Sequence, residues 1–422
     1  MIVGIFSDTH LGFDSGDDRT KESFDRFHET MEFFIEKKVD VIIHAGDMFD
    51  NAVPTQETWL KTFEAFSKNK KNNIETKNSE QNENLFSKIK RVSLHGEEIL
   101  SFQGIPFIAI HGTHEFRGKD FANAIDVLES AGHLIHIHGA YAEIEKQKEN
   151  NKGNENTEIE KIYIHGLGGV PEKHAKTVLG NYNPQPVKGH YNLLMLHQSF
   201  KEYLPFDDDA TATLSLADLP NGFDLIIDGH LHWTAEENIE GKKFLLTGST
   251  IFTQMKQLES KKEKGCFLLD TETKKIDFVP FKEQRPLFYK KISFENALPE
   301  NVMLQANEFI KECSEKKTKI KPLVRLKLVG TLAKGFTQAD IVINKSDNII
   351  LSVSKELESE QFAKRIEELK SENKKDVKAL GMDLLEKKTK DAGIEVETTR
   401  LFELLSIGEN EKAIEVMLEK NK

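Results

Sequence analysis

Seven short apolar runs punctuate the first 250 positions: MIVGIF (1–6), VDVIIHA (39–45), IPFIAI (105–110), KIYIHGL (161–167), YNLLMLH (191–197), FDLIIDG (223–229) and KKFLLTG (242–248). Each is rich in Ile, Val and Leu and bounded by Gly or polar residues, which predicts buried strands. Between the first two runs, Phe24, Phe27, Met31, Phe34 and Ile35 recur at three- and four-residue steps, the spacing of one helix face. A second helix is predicted after NAVPTQE, with Trp59, Phe63 and Phe66 on one face and Pro54 near its start. Strands alternating with helices predict a layered α/β domain.

Two segments break this rhythm. Residues 68–91 and 144–160 are rich in Lys, Asn and Glu and poor in apolar residues, and read as mobile surface insertions. Near FKEQRPLFYKK (281–291) the character changes. A strand, the helix PENVMLQANEFIKEC and the strand KPLVRLKLVG predict a second, smaller domain. After about residue 353 the chain reads as helical and highly charged. Phe362, Ile366 and Leu369 mark one stripe, and Val377, Leu380, Leu384 and Leu385 another; Gly393 is placed to stop the helix. Leu401, Phe402, Leu404 and Leu405 follow as a short apolar cluster before Gly408. Such a tail buries little by itself, so its stripes need another surface.

At 422 residues the chain is long enough for two or three domains, and 38% hydrophobic with 30% charged residues is an ordinary soluble composition. No run reaches ~18 apolar residues, so no membrane helix is expected. The first residues begin a strand without a basic, apolar leader, so no signal peptide is expected. Two cysteines, Cys266 and Cys313, exclude a disulfide framework and a thiolate zinc site, and fit a reducing cytoplasm. A net charge of -12 argues against binding nucleic acid through overall charge alone. It leaves room for a local basic face: residues 286–336 hold ten Lys/Arg against five Asp/Glu.

The polar residues that end the strands carry the chemistry. Asp8 and His10 follow the first run, in SDTH, and Asp47 follows the second, in AGDMFD. His114 follows the third, in HGTHE; His197 ends YNLLMLH; His230 and His232 follow LIID, in GHLH. In α/β sheets the C-terminal edge of the strands is where ligands bind. A lone His or Asp beside a strand is usually a hydrogen-bonded structural residue or a cap, and His44, His95, His111, His136, His138 and His165 are read that way. Five strand-end motifs in order are a different matter. Two Asp and four His offer oxygen and imidazole donors without thiolate, a set that suits manganese, iron or zinc, with Mn²⁺ favoured by the carboxylate share. The donors exceed one tetrahedral site, which implies two metals. A pair ~3.5–4 Å apart sharing an Asp suits in-line attack on phosphorus.

This ordered set resembles the signature of the calcineurin-like metallophosphoesterases: Asp8/His10, Gly46-Asp47, Gly112-Thr113-His114-Glu115, His197 and Gly229-His230-x-His232. Within that superfamily, FSDTHLG, HAGDMFDNAVPT, LLMLHQ and LIIDGHLHW are most similar to the SbcD/Mre-type nucleases of DNA double-strand-break repair. The signature spans residues 1 to about 250. RPLFYKKISF resembles the start of that family's DNA-capping domain, and the tail resembles its segment for binding an SMC-like coiled-coil ATPase (SbcC-type).

The resemblance implies an α/β fold, a layered metallophosphoesterase β-sandwich flanked by helices, with a small α+β capping domain and a helical C-terminal tail. The implied domains are residues 1–284, 285–352 and 353–422. Asp8, His10, Asp47 and His232 would hold a first Mn²⁺, and Asp47, His197 and His230 a second, with Asp47 bridging. His114 would act on the scissile phosphate as the catalytic residue without binding metal. The implied function is Mn²⁺-dependent 3′-to-5′ exonuclease and single-strand endonuclease activity on DNA ends. The implied partners are DNA, the ATPase and a second copy of the chain, docked through helices near 20–37 and 55–67.

Two positions depart from the family pattern: Thr113 stands where an Asn binds the second metal, and Asp50 where many relatives carry a His. The residues leave open whether Thr113 reaches the second ion. Two other readings compete, a non-catalytic DNA-end-binding scaffold and a phosphodiesterase for smaller substrates. The basic segment and charged tail speak against the small substrate, and the six retained ligands against the scaffold.

Overall fold

A computed structural model describes residues 1–14, 19–77, 89–94, 97–99, 105–118, 121–147, 159–204, 213–239, 241–359, 377–391, 396–406 and 416–417. The chain divides into two compact units, Met1–Tyr289 and Lys290–Lys422.

The first unit begins with β1 (Ile2–Phe6), α1 (Glu22–Glu36), β2 (Val41–Ala45), α2 (Gln56–Lys77), β3 (Ile89–Leu94), β4 (Glu97–Ile99) and β5 (Phe107–Ile110). It continues with α3 (Ala124–Ser130), β6 (Ile135–His136), β7 (Ala140–Gln147), β8 (Ile159–Leu167), α4 (Glu172–Tyr182) and β9 (Tyr191–Leu196). Then come β10 (Leu225–Asp228), β11 (Ala235–Ile239), β12 (Lys242–Leu246), β13 (Gly265–Asp270) and β14 (Lys275–Pro280). One sheet has the order β14-β13-β1-β2-β5-β6 and the other β11-β12-β10-β9-β8-β7-β3-β4. The strands that carry the sequence motifs run parallel: β1 with β2, β2 with β5, β9 with β10.

Alternation along each strand builds the layers. Val3, Ile5, Val41, Ile43, Ile108 and Ile110 of the first sheet meet Ile162, Ile164, Leu193, Met195, Leu225 and Ile227 of the second in one buried cluster. The opposite faces are covered as well. Phe6, Ile42, Phe107 and Ala109 pack with Phe24, Phe27, Met31 and Phe34 of α1 and with Phe66 of α2. Leu194, Leu196 and Ile226 pack with Ala175 and Leu179 of α4. The result is a two-sheet sandwich with helices outside, and it explains why the parallel strands read as continuous apolar runs.

The polar segments 68–91 and 144–160 are not loops where the structure describes them. The first continues α2 to Lys77 and resumes as β3; the second contains the ends of β7 and β8. Here β3, β7 and β8 pair antiparallel at the end of the second sheet. In β7, Ala140, Ala142 and Ile144 are buried while the residues between them are half-buried. Lys161 reaches Glu143 at 2.6 Å and also pairs with Glu145. Cross-strand charge pairs thus give a strand the composition of a loop. Residues 78–88 and 148–158 lie outside the described residues, as does His95.

In the second unit, β15 (Leu287–Ala297, entering from the first unit), α5 (Pro299–Ser314), β16 (Leu323–Leu332) and β17 (Ile350–Ser359) form a sheet of order β15-β16-β17. The expected helix after residue 353 is corrected here. β17 runs through that position to Ser359, parallel to β16 over its whole length. Ser352, Ser354, Glu356 and Glu358 alternate with Leu351, Val353 and Leu357, which gives a strand period beneath a helix-like composition. Two tail helices follow, α6 (Val377–Asp391) and α7 (Thr398–Ser406). Leu401 is buried, and the Phe402 ring lies where a side chain on Gly381 would stand. Phe362, Ile366, Leu369, Gly393 and Gly408 lie outside the described residues.

Candidate metal centre

Each candidate ligand sits on the turn that leaves a parallel strand. Asp8 and His10 follow β1, Asp47 follows β2, His114 follows β5, His197 follows β9, and His230 and His232 follow β10. Four of them have left-handed backbone: Asp8 at φ 49, His10 at 46, Asp47 at 51 and His230 at 69. For non-glycine residues this conformation costs on the order of 1–3 kcal/mol each, and it persists only where the surroundings impose it. The Asp8 N–H donates to Gly46 O at 2.9 Å, and the His10 N–H to Asp47 O at 3.1 Å. The His230 N–H donates to Asp8 Oδ1 at 3.0 Å. The turns therefore hold one another rather than resting on local propensity.

The donor atoms converge in two groups. Atoms of Asp8, His10 and His232 all lie within 4.8 Å of one another, and so do atoms of Asp47, His197 and His230. In the first, His10 Nε2 and His232 Nε2 point at each other 3.2 Å apart, and Asp8 Oδ1 is 3.6 Å from His232 Nε2. The far nitrogens face other partners. Asp50 Oδ1 is 3.2 Å from His10 Nδ1, and the Thr253 hydroxyl contacts His232 Nδ1. In the second group, His197 donates from Nδ1 to Ala45 O at 2.7 Å, which turns Nε2 toward Asp47. That Nε2 is buried 3.1 Å from Asp47 Oδ2 without a hydrogen bond. Imidazoles oriented through the far nitrogen, with the near one beside a carboxylate, are what a divalent cation requires. The residues fit two metal ions.

Close approach here depends on glycine. A Cβ on Gly112 would lie 2.1 Å from Asp47 Oδ1, and one on Gly46, at φ +92, would lie 2.3 Å from His197 Nδ1.

Without a metal ion the candidate ligands differ in charge state. Burial raises the Asp8 carboxyl to about 6, with Asp47 adding to the shift. Burial opposes ionisation of Asp47 too, but the charge of His197 holds its carboxyl well below the usual range. His197 is raised to about 10, against its burial, by Asp47 and Asp8, so its ring carries a proton that a bound cation would displace. Burial lowers His230 to about 3 and takes His232 well below its ordinary value, so both rings are neutral. Neutral imidazole is the form that ligates metal.

His114 belongs to neither of these two groups, but it converges with His10 and Asp50 in a third: one donor atom of each lies within 4.8 Å of the others, and the His114 and His10 ring centroids are 4.8 Å apart. Its N–H donates to Asp47 Oδ1 at 2.8 Å, and its Nδ1 donates to Asp50 O at 2.6 Å. Its side chain remains 40% exposed, and its Nε2 is 4.0 Å from Asp47 Oδ2. Burial lowers its pKa, but Asp47 and the Asp50 carbonyl outweigh that and raise it. Next to it, the buried Glu115 accepts the Phe49 N–H at 2.6 Å and the Gly112 N–H at 2.7 Å. It thereby ties the turn after β5 to the turn after β2. The Thr113 hydroxyl lies 3.4 Å from His230 Nδ1.

Sequence reasoning missed several supports. Glu172, at the start of α4, puts Oε1 3.7 Å from His230 Nε2. The buried Lys264 donates to His232 O at 2.7 Å, Ser249 Oγ at 2.8 Å and Glu259 Oε1 at 2.8 Å, pinning the turn that carries His232. The histidines read as structural are hydrogen-bonded where described: His44 with Thr9, His165 with Tyr182, His111 with His136, and His138 with the Gly168 N–H.

The family description "Calcineurin-like phosphoesterase" matches residues 1–234. The DNA double-strand break repair protein Mre11 of Sulfolobus acidocaldarius is 25% identical over 98% of this chain and 97% of its own length. Its namesake from Thermoplasma acidophilum is 26% identical over 82% of this chain and 81% of its own length. The double-strand break repair protein MRE11 of Encephalitozoon cuniculi is 26% identical over 70% of this chain and 50% of its own length.

Proposed function

This chain belongs to the calcineurin-like phosphoesterase family, and from that premise we propose that it is a Mn²⁺-dependent nuclease acting on DNA ends in double-strand-break repair. Membership makes it a metal-dependent phosphodiesterase. The names of the relatives from Sulfolobus and Thermoplasma, aligned over most of both chains, extend the reading to DNA. The observation that carries it is the pair of buried donor groups with His114 beside them, exposed and fastened to Asp47.

In this reading Asp8, His10 and His232 would hold one ion, His197 and His230 would hold the other, and Asp47 would serve both. Bound metal supplies Lewis acidity and lowers the pKa of water for attack on phosphorus. The protein's own groups do the rest. Asp50, Ala45 and Thr253 orient the ligand rings, and Asp47 fixes the main chain of His114. The His114 ring, donating from Nδ1 to the Asp50 carbonyl, turns Nε2 toward substrate. From there it can stabilise charge or give a proton to the leaving oxygen. Both 3′-to-5′ exonuclease and single-strand endonuclease activities belong to this proposal. So do a homodimer through α1 and α2, and docking of the C-terminal helices on an SMC-like coiled-coil ATPase, with residues 285–352 as a DNA cap. The amphipathic tail supports the ATPase contact, because its apolar stripes bury little alone.

Metal content of the purified protein, measured with cleavage of an end-labelled DNA duplex with and without Mn²⁺, tests the reading. Two bound ions per chain and Mn²⁺-dependent shortening of the duplex are expected. Tight metal binding with no cleavage of duplex or single strand would favour a DNA-binding scaffold instead.

A further inference from the structure

A cavity of about 570 Å³ opens at His111, at the other end of the turn that carries His114. We propose that it receives one unpaired nucleobase of the strand being cut, next to the scissile phosphate. The proposal rests on the nuclease reading above and deepens it.

The volume is that of a small-molecule site. Its walls are rings. Phe116 and Phe121 line it and are 37% and 64% exposed, which is unusual for Phe on a surface that binds nothing. The Arg117 guanidinium lies over the Phe121 ring, 4 to 6 Å being the usual range, at 5.2 Å from its centroid. The His111 and His138 rings sit 4.7 Å apart. Flat aromatic walls with one stacked guanidinium are the surfaces on which bases stack in single-strand binding sites, with little regard to sequence.

Charge separates a base from a phosphate as occupant. His138 accepts the Gly168 N–H on Nδ1 at 3.1 Å, so its ring is neutral, and burial lowers its pKa further. His136 and His111 share a hydrogen bond at 3.0 Å, and the Asp126 carboxylate is occupied by His136 Nδ1 at 2.6 Å. Among the described lining residues Arg117 is the one Lys or Arg, and it is stacked on Phe121. A phosphate site calls for several free cationic donors; these walls offer mainly aromatic rings.

The distance is suitable as well. From His111 to His114 the chain spans at most about 10 Å, and the turn is held by the Gly169 N–H donating to His111 O at 2.8 Å. One nucleotide can place its phosphate at His114 and its base in the cavity. Unpairing is then part of productive binding, which favours single strands and frayed ends.

The test uses the full chain with Mn²⁺, single-stranded oligonucleotides with one abasic site moved stepwise past the cleavage position, and bis(p-nitrophenyl) phosphate as a substrate without a base. An abasic site at one position beside the cut should raise KM about 5- to 150-fold for the wild type, the range that corresponds to losing one base–aromatic stack. The Phe116→Ala/Phe121→Ala variant should lose that sensitivity, show the raised KM on intact DNA, and hydrolyse bis(p-nitrophenyl) phosphate at the wild-type rate. Phe121→Trp in the Phe116→Ala background should keep the discrimination that the double variant loses. Both rings are exposed, so the variants should fold. A 2-aminopurine at the same position should change fluorescence on binding to the wild type and not to the double variant. Equal sensitivity to the abasic site in wild type and variant, or an unchanged 2-aminopurine response, would overturn the base pocket while leaving the nuclease reading intact. Wild-type protein that hydrolyses neither substrate would overturn the nuclease reading, and this proposal with it.

Discussion

His114 is fastened at both ends to the turn after β2: its N–H donates to the Asp47 carboxylate at 2.8 Å, and its ring Nδ1 donates to the Asp50 carbonyl at 2.6 Å. The candidate catalytic ring and the candidate bridging ligand are therefore one mechanical unit, although 67 residues separate them in the chain. Their variants should still behave differently. His114→Ala removes a ring but no metal donor, so it should retain metal and lose about 10²- to 10⁴-fold in cleavage rate, the usual contribution of a positioned acid or base. Asp47→Ala removes the carboxylate and the anchor of the His114 main chain, so it should lose metal and cleavage together. Metal analysis beside single-turnover rates separates the two; a His114→Ala protein without metal would show the ring to be a ligand.

Glu115 is the brace between the turns. Glu115→Ala leaves the buried N–H groups of Phe49 and Gly112 without their acceptor. Each lost acceptor costs about 1–3 kcal/mol, so urea unfolding should show a loss on the order of 2–5 kcal/mol. Burial, with Asp47 nearby, pushes the Glu115 carboxyl up to about 8 from its ordinary 4.5. The folded protein then holds a proton that the unfolded chain has released. This contribution is fully present below about pH 4.5 and is lost as pH rises toward 8. In chelator-treated protein, Glu115→Gln should flatten the fall in stability across that window. An unchanged slope would assign it to another group.

The supports of His232 and His230 show where the sequence stopped being legible. The strands that enter the site were readable because both sheet faces are covered, so Val41, Ile42 and Ile43 are all buried and leave no polar gap. The candidate ligands were readable because each stands directly after such a run. The supports had no comparable signal. Lys264, Glu259, Thr253 and Glu172 reach the site from loops and a helix start, and nothing in their spacing ties them to His232 or His230. β7 and β17 were misread for a related reason: their polar residues are paired or face solvent, and composition hid a period of two.

Chelation should destabilise the first unit. Asp8 and Asp47 are buried carboxylates close enough for Asp47 to raise the Asp8 pKa. A cation between them relieves that repulsion. At 100 times its Kd, Mn²⁺ should stabilise by about 2.7 kcal/mol, visible as a rise in Tm that Asp8→Ala or His232→Ala diminishes. His197, raised to about 10, should make protons compete with metal throughout the neutral range, and Asp8, raised to about 6, should add a second proton below that pH, so apparent Mn²⁺ affinity should fall more steeply once the solution is acidified through about 6. An affinity whose pH dependence does not steepen there would remove Asp8 from the ligand set.

Thr113 stands beside the second donor group. Its hydroxyl lies 3.4 Å from His230 Nδ1, so the residue faces the His230 ring, on the side of the second donor group. An Asn at this position would carry its amide oxygen farther out by about one carbonyl bond length, ~1.2 Å. Direct coordination to a hard cation needs an oxygen within about 2.0–2.6 Å, and the threonine hydroxyl, already placed against an imidazole ligand, is suited to orienting that ring or a bridging water. Loss of such an outer contact typically costs on the order of 10- to 100-fold in metal affinity or activity. Thr113→Asn should therefore lower the Mn²⁺ concentration for half-maximal cleavage. Tm in chelator should stay nearly unchanged, because the position is half-buried and the hydroxyl contact to His230 is long. Thr113→Val, which keeps shape and removes the hydroxyl, should move the requirement the other way. If Asn leaves the Mn²⁺ requirement unchanged or raises it, the turn is adapted to threonine, and His230 is oriented by that hydroxyl rather than left short of a ligand.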